Sequence, residues 1–171
     1  MNLSYMRPRI TRHWPPHAII VVNRGYSMPD KAQLAVDKFA EGYNCAQSVV
    51  FAFRDECGLS QDAALKVSCG FGGGMGRKQE VCGAVAGGLM ILGLRHGRGT
   101  QDGRSVTEDL YKATREFMDS FASRNGSYLC RDLLSGCDLT SAEGQRRLRD
   151  DGLHEKVCRP CVRSAAELLT L

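Results

Sequence analysis

Long hydrophobic runs are missing from this 171-residue chain. The longest uncharged apolar stretch, Val81 to Leu94, is 14 residues, and a membrane span needs about 20. Acidic residues are missing from residues 1–27, which hold Arg7, Arg9, Arg12 and Arg24. Without those four of the 23 basic residues, the remaining 19 meet 19 acidic ones, so the rest of the chain is neutral. A nucleic-acid-binding domain would carry a basic surface on its folded part, so no nucleic-acid partner is expected. Nor is there the apolar core of a signal peptide. The only early apolar run, Ala18 to Val22, is five residues between Pro15, Pro16, His17 and Asn23, and the segment has no twin-arginine pair. The expectation is a cytoplasmic protein with reduced thiols. Strand signals are missing too, apart from Ile19 to Val22.

What is present, 43% hydrophobic and 25% charged residues, suits one globular domain with a single core. Residues 1–27 read as a disordered tail or a start assigned too early, with Met28 as the real beginning. An organellar transit peptide would share their arginine-rich, acid-poor composition. Residues 28–171 read as one all-α domain, a compact array of six to seven helices around a central glycine-rich helix. Ser27 with Pro29 would open the first helix, running to Ala40. Asn44 with Gln47 makes a capping box, followed by an apolar stripe of Ala46, Val49, Val50, Phe53 and Cys57, closed by Gly58. Ser60 would cap a third helix to Cys69. Residues 70–76, with five glycines in seven, read as a loop. A helix over Glu80 to His96 is apolar almost all round and so should lie at the centre. Its Gly83, Gly87 and Gly88 cost up to about 1 kcal/mol each against alanine, which predicts close approach of a backbone or cofactor. Ser105 with Glu108 would start a long helix with the stripe Val106, Leu110, Ala113, Phe117 and Phe121. Thr140 with Glu143 would cap the next, to Asp150, and Arg159-Pro160 would open the last.

Eight cysteines are many for this length: Cys45, Cys57, Cys69, Cys82, Cys130, Cys137, Cys158 and Cys161. Four share an expected position at a helix start, namely Cys45, Cys82, Cys130 and Cys158. There, free amides and the positive end of the helix dipole favour a thiolate. Four such starts meeting at one place would make a pocket for anionic sulfur, suited to a metal centre, an iron–sulfur cluster or a reactive dithiol.

These cysteines stand in a recognisable order of motifs: Gly42-Tyr43-Asn44-Cys45-Ala46-Gln47, then Gly70 to Met75, then Cys82-Gly83-Ala84-Val85-Ala86-Gly87, then Cys130-Arg131-Asp132-Leu133-Leu134, then Cys158 ahead of Val162 and Ala165-Ala166. From Lys31 to Leu169 the chain resembles the redox-active proteins named C_GCAxxG_C_C for their cysteine pattern. The resemblance implies four signature cysteines, here Cys45, Cys82, Cys130 and Cys158. It also implies a link to split-Soret cytochromes, which share this domain and are thought to carry an iron–sulfur centre in it. Residues 1–27 have no counterpart in that pattern, and Cys161 adds a neighbour to Cys158.

The expectation that follows is a small redox protein whose pocket of Cys45, Cys82, Cys130 and Cys158 holds an iron–sulfur cluster and passes electrons to a partner protein. The thiolates would be ligands, and the amides of Gly72, Gly73, Gly74 and Gly83 would lie close to the cofactor. A homodimer is compatible with the sequence. The alternatives are a metal-free thiol oxidoreductase, with redox candidates that include Cys161, and a structural zinc site. Cys158-Arg-Pro-Cys161 has the spacing of a dithiol motif at a helix start, but no βαβ context surrounds it, and Val162 stands where a c-type haem motif needs histidine. His154, four residues before Cys158, has the spacing of a ligand, although a solvated loop histidine is the plainer reading. Arg77 and Lys78 would either offset a negative cluster or form an exposed turn. Cys57 and Cys69 read as packing residues, and Cys137 sits in a polar turn. The glycine run is no phosphate loop, for it lacks the preceding strand and the Gly-Lys-Ser/Thr.

Overall fold

The computed structural model describes residues 30–171. Ser27, Pro29 and the Ile19 to Val22 run therefore lie outside the described residues. The first helix, α1 (Lys31–Ala40), is capped by Asp30, whose side chain accepts the Ala32 amide at 3.0 Å. Next, α2 (Cys45–Phe53) begins with the expected box. The Asn44 side chain accepts the Ala46 and Gln47 amides, and Gln47 accepts the Asn44 amide at 3.1 Å. It ends at Phe53, so Cys57 belongs to the following turn rather than to the helical stripe. Ser60 caps α3 (Gln61–Ser68) by accepting from Ala63 at 3.2 Å.

The glycine segment forms a single turn of 3₁₀ helix over Cys69–Phe71 and then a distorted turn, α4 (Gly72–Met75). Gly73 and Gly74 take φ of 63° and 66° there, a region open to glycine because it lacks Cβ. The central helix, α5 (Gly83–His96), starts later than the pattern suggested. Glu80 and Val81 are extended, with Val81 bridged to Leu129, and Cys82 is the N-cap. That bridge is the one β contact among the described residues.

Gly83 to Gly88 are buried without exception, and α5 packs most extensively on α2. A Cβ on Gly87 would come within 2.9 Å of the Ala46 carbonyl oxygen, and one on Gly88 within 2.4 Å of the Phe117 ring. The expected close approach is thus made by neighbouring protein. Helix α6 (Ser105–Asn125) buries Phe117 and Phe121, while Val106, Leu110 and Ala113 stay half-exposed. Its start has no side-chain cap, since Arg104 rather than Ser105 holds the cap position. The four-residue α7 (Cys130–Leu133) leads to α8 (Ala142–Asp150), capped by Ser141 through Gly144 instead of by Thr140. A π-type turn, His154–Cys158, runs directly into α9 (Arg159–Leu168).

Among the described residues, helices of eight residues or more number seven. They enclose one main core, in which Phe39, Val49, Val50, Phe53, Val85, Ile91, Phe121 and Val162 are completely buried. A smaller cluster of Cys130, Leu134, Cys137 and Leu139 packs with Leu148, Leu153, Val157 and Cys158. No described helix is long and apolar enough to cross a membrane.

Candidate functional site

Between the main core and the small cluster lies a cavity of about 380 Å³. Cys45, Cys82, Cys130 and Cys158 line it, as do Cys161, Cys69, His154 and Arg77. Gly72, Gly73, Gly74 and Gly83 line it too, beside Asn44 and several leucines. The four signature cysteines, Cys161 and the four glycines expected near a cofactor therefore share one cavity, although they come from widely separated parts of the chain, whereas Cys57, Lys78 and Cys137 do not line it.

Local structure explains each placement. The capping box sets Cys45 as the first residue of α2. Cys82 and Cys130 are held together by a short antiparallel clamp. The Cys82 amide donates to the Tyr128 carbonyl at 2.8 Å, and the Cys130 amide donates to the Glu80 carbonyl at 2.8 Å. An Arg131–Glu80 ion pair lies across the same segment. The glycines let the loop press against the cysteines. A Cβ on Gly74 would stand 2.6 Å from the Cys130 Cβ, and one on Gly83 would stand 3.3 Å from the Cys45 Cβ. Gln79 bolts the loop to the far side of the cavity, its Nε2 donating to the Cys137 carbonyl at 2.8 Å and its Oε1 accepting the Leu139 amide at 2.9 Å. Cys158 departs from the expected pattern. It ends the π turn, and the Arg159 amide after it is already bonded to the His154 carbonyl. Its helix start therefore offers fewer free amides than that of Cys82, where no side chain caps the helix.

The cavity thiols shift one another's ionisation. All eight cysteines are free. Hydrogen bonding toward Cys158, together with burial, holds the Cys45 thiol well above the ordinary range. Hydrogen bonding toward Cys82, and then burial, pushes Cys161 up, whereas Cys82 is lowered first by Cys161 and then, against burial, by the Ala84 and Val85 amides. Burial pushes Cys130 up to about 12, and the nearby Cys82 and Cys158 add to the effect. One sulfur of the cavity is thus shifted toward the thiolate and three resist ionisation, through hydrogen bonding and burial first and repulsion by neighbouring sulfurs second.

Several side chains depart from expectation. Cys69 does not pack in the core; it is exposed at the cavity rim. Cys57 is half-buried against the main core, and burial raises its thiol. Cys137 is fully buried and donates to the Gly144 carbonyl at 3.1 Å. His154 is not a solvated loop residue: it stacks on Phe39 with ring centroids 4.3 Å apart. A π turn, a rare element that often marks functional sites, carries it into the cavity wall. Nothing local in the sequence announces that turn, or the roles of Gln79 and Cys69.

The donor set fits a metal–sulfur group in number and chemistry: six soft thiols, that of Cys69 at the rim, and one half-buried imidazole around one space. Among the described residues, however, no three His, Cys, Asp or Glu side chains converge as ligands of a single ion. A structural zinc site needs four donors at about 2.0–2.3 Å from one point.

The sequence model of a family described as "Putative redox-active protein (C_GCAxxG_C_C)" matches residues 43–170. An uncharacterized protein of Archaeoglobus fulgidus is 28% identical over 120 residues, which cover 66% of this chain and 80% of that protein. No solved structure matches.

Proposed function

From the premise that this chain belongs to the C_GCAxxG_C_C family, we propose that its cysteine cavity binds an iron–sulfur cluster and serves electron transfer to a partner protein. One observation carries the reading. Four signature cysteines from four separate segments line a single cavity of about 380 Å³, walled on one side by glycine backbone. When bound, the cluster would supply a one-electron couple tuned by charge and hydrogen bonding around its sulfurs.

The chain's own residues do the rest. Cys45, Cys82, Cys130 and Cys158 would be the thiolate ligands. Because their sulfurs are spread around a cavity and do not converge on one point, they suit a group of several metal atoms better than a single ion. Binding requires protons to leave thiols that burial keeps protonated, so uptake of the group is coupled to proton release. Gly74 and Gly83 keep the walls close to Cys130 and Cys45, and the apolar side chains of Leu133, Leu134 and Leu139 limit water.

Anaerobic purification of the full chain, with a visible spectrum and iron and sulfide analysis, tests this. The expected result is a brown protein containing both. Serine at Cys45, Cys82, Cys130 or Cys158 should abolish or strongly reduce bound iron, while serine at Cys57 or Cys69 should leave it in place. A colourless chain that takes up neither iron nor sulfide on anaerobic reconstitution would defeat the proposal.

A further inference from the structure

Of the residues that line the sulfur cavity, Cys69, Gly76 and Arg77 are the exposed ones. All three belong to one short segment, and a Cβ on Gly76 would stand 4.0 Å from the Gly70 carbonyl oxygen. The cavity therefore opens to solvent at this segment. We infer that Arg77 and Lys78, with the exposed Val67 and Met75 of the same segment, are the docking face for an acidic one-electron carrier protein. The inference rests on the proposed function, since it names the partner of the same site.

Charge is the first support. The chain has six lysines. The ammonium groups of Lys31, Lys38, Lys66 and Lys112 meet carboxylates, and that of Lys156 donates to the Asp151 carbonyl. Among the described residues, the Lys78 ammonium and the neighbouring Arg77 guanidinium meet no partner. No acidic residue occurs from Ala63 to Gln79, and none lines the cavity. At the two ends of that run, Asp62 is engaged by Lys66 and Glu80 by Arg131. The mouth thus carries positive charge that the chain leaves unneutralised. The second support is apolar surface. Val67, two residues before Cys69, is 57% exposed, and Met75, directly before Gly76, is 38% exposed. The third is rigidity. Met75 and Arg77 are held at φ of 66° and 70°, a conformation that costs a non-glycine residue energy and persists where the surroundings enforce it. The Arg77 amide donates to the Gly72 carbonyl at 3.3 Å, Lys78 to Met75 at 3.1 Å and Gln79 to Gly73 at 3.2 Å. A pinned loop loses little freedom on docking.

These features select the occupant. Two free cations are too few for an anionic membrane, which takes a cluster of about four to eight. Cations beside a small apolar surface suit a protein that carries carboxylates around its own redox centre. Redox encounters of this kind are weak and small, and opposite charge steers them. One electron crosses the glycine wall. The carrier is oxidised by one electron and the group in the cavity is reduced by one, with no bond made or broken.

The test uses the full chain, purified anaerobically, and two probes: an acidic plant-type ferredoxin and a basic cytochrome c. The carboxylates of each probe are activated with a carbodiimide, the excess reagent is quenched, and the chain is added. The ferredoxin should give a one-to-one adduct whose peptide map places the new amide at Lys78 Nζ, and cytochrome c should give none. Raising salt from about 20 mM to about 200 mM should cut the yield about tenfold. Lys78→Arg should lose the adduct but keep binding in calorimetry, whereas Arg77→Gln with Lys78→Gln should weaken binding about tenfold. Coupling at Lys66 or Lys112, whose side chains are 76% and 72% exposed, would overturn the inference. So would no adduct, equal yield with cytochrome c, unchanged binding by the double variant, or retention on phosphatidylserine vesicles in place of ferredoxin binding. Iron and sulfide are measured on the same preparation. Coupling at Lys78 by a chain that takes up neither counts against the cluster alone, and an iron-containing chain that fails to couple counts against the docking face alone.

Discussion

A methyl group on Gly87 would stand 2.9 Å from the carbonyl oxygen of Ala46 and 3.1 Å from the Val49 Cβ. Since Ala46 directly follows Cys45, the same contact that packs α5 on α2 also sets where Cys45 sits relative to Cys82. Gly87→Leu should therefore overpack the centre, at a cost of about 1–3 kcal/mol. Thermal unfolding is the check, and an unchanged melting temperature would mean that the two helices part freely.

Gln79 carries the connection across the cavity. Gln79→Ala leaves the buried Cys137 carbonyl and Leu139 amide without their side-chain partner, at about 1–3 kcal/mol for each unmet group. Urea unfolding should show the loss. Limited proteolysis should show earlier cutting between residues 134 and 150, because the small cluster is what Gln79 secures. Equal protection of both proteins would remove Gln79 from this role.

Cys137 and Cys69 should exchange the roles their neighbourhoods suggest. Cys137→Ala removes a fully buried thiol and its bond to Gly144, and should cost about 1 kcal/mol or more. Cys69→Ser alters an exposed rim position and should stay within about 0.5 kcal/mol. Chemical denaturation of the two variants decides, and the reverse order would contradict the packing described.

His154 gives a pH signature. Burial holds its imidazole below the ordinary value, so the unfolded chain takes up this proton before the folded one does. Stability from this group is complete above about pH 6.5, its unfolded value, and is lost as pH falls through the lower folded value. Replacing His154 with Gln should flatten that part of the profile. Urea midpoints measured from pH 7.5 to pH 5 should fall more steeply for the unaltered chain, and parallel profiles would rule the effect out.

Much of the helical plan could be read from residues alone, because capping and periodicity are local. Asn44 with Gln47, Ser60 and the αL-tolerant glycines act within a few residues of the helix ends they set. So does the apolar run of α5, whose first turns, Gly83 to Gly88, are buried as its composition suggested, although Leu94 near its end is exposed. The caps at Ser105 and Thr140 failed for a local reason as well: Arg104 and Ser141 offered competing starts one residue away. The order of the signature cysteines was likewise enough to place the chain in its family and to nominate Cys45, Cys82, Cys130 and Cys158 for one site.

Which cysteines share one space was decided by tertiary structure. Cys45, Cys82, Cys130, Cys158 and Cys161 come from four separate segments, and only the docking of α2, α5, α7 and α9 brings them to one cavity. The same long-range packing buried Cys137, exposed Cys69, stacked His154 on Phe39 and brought Arg77 to the cavity rim. These outcomes depend on how helices distant in sequence dock. The periodicity of one segment says which face is apolar but not which neighbour will cover it, and the extended Glu80–Val81 clamp exists only because Leu129 returns to pair with it.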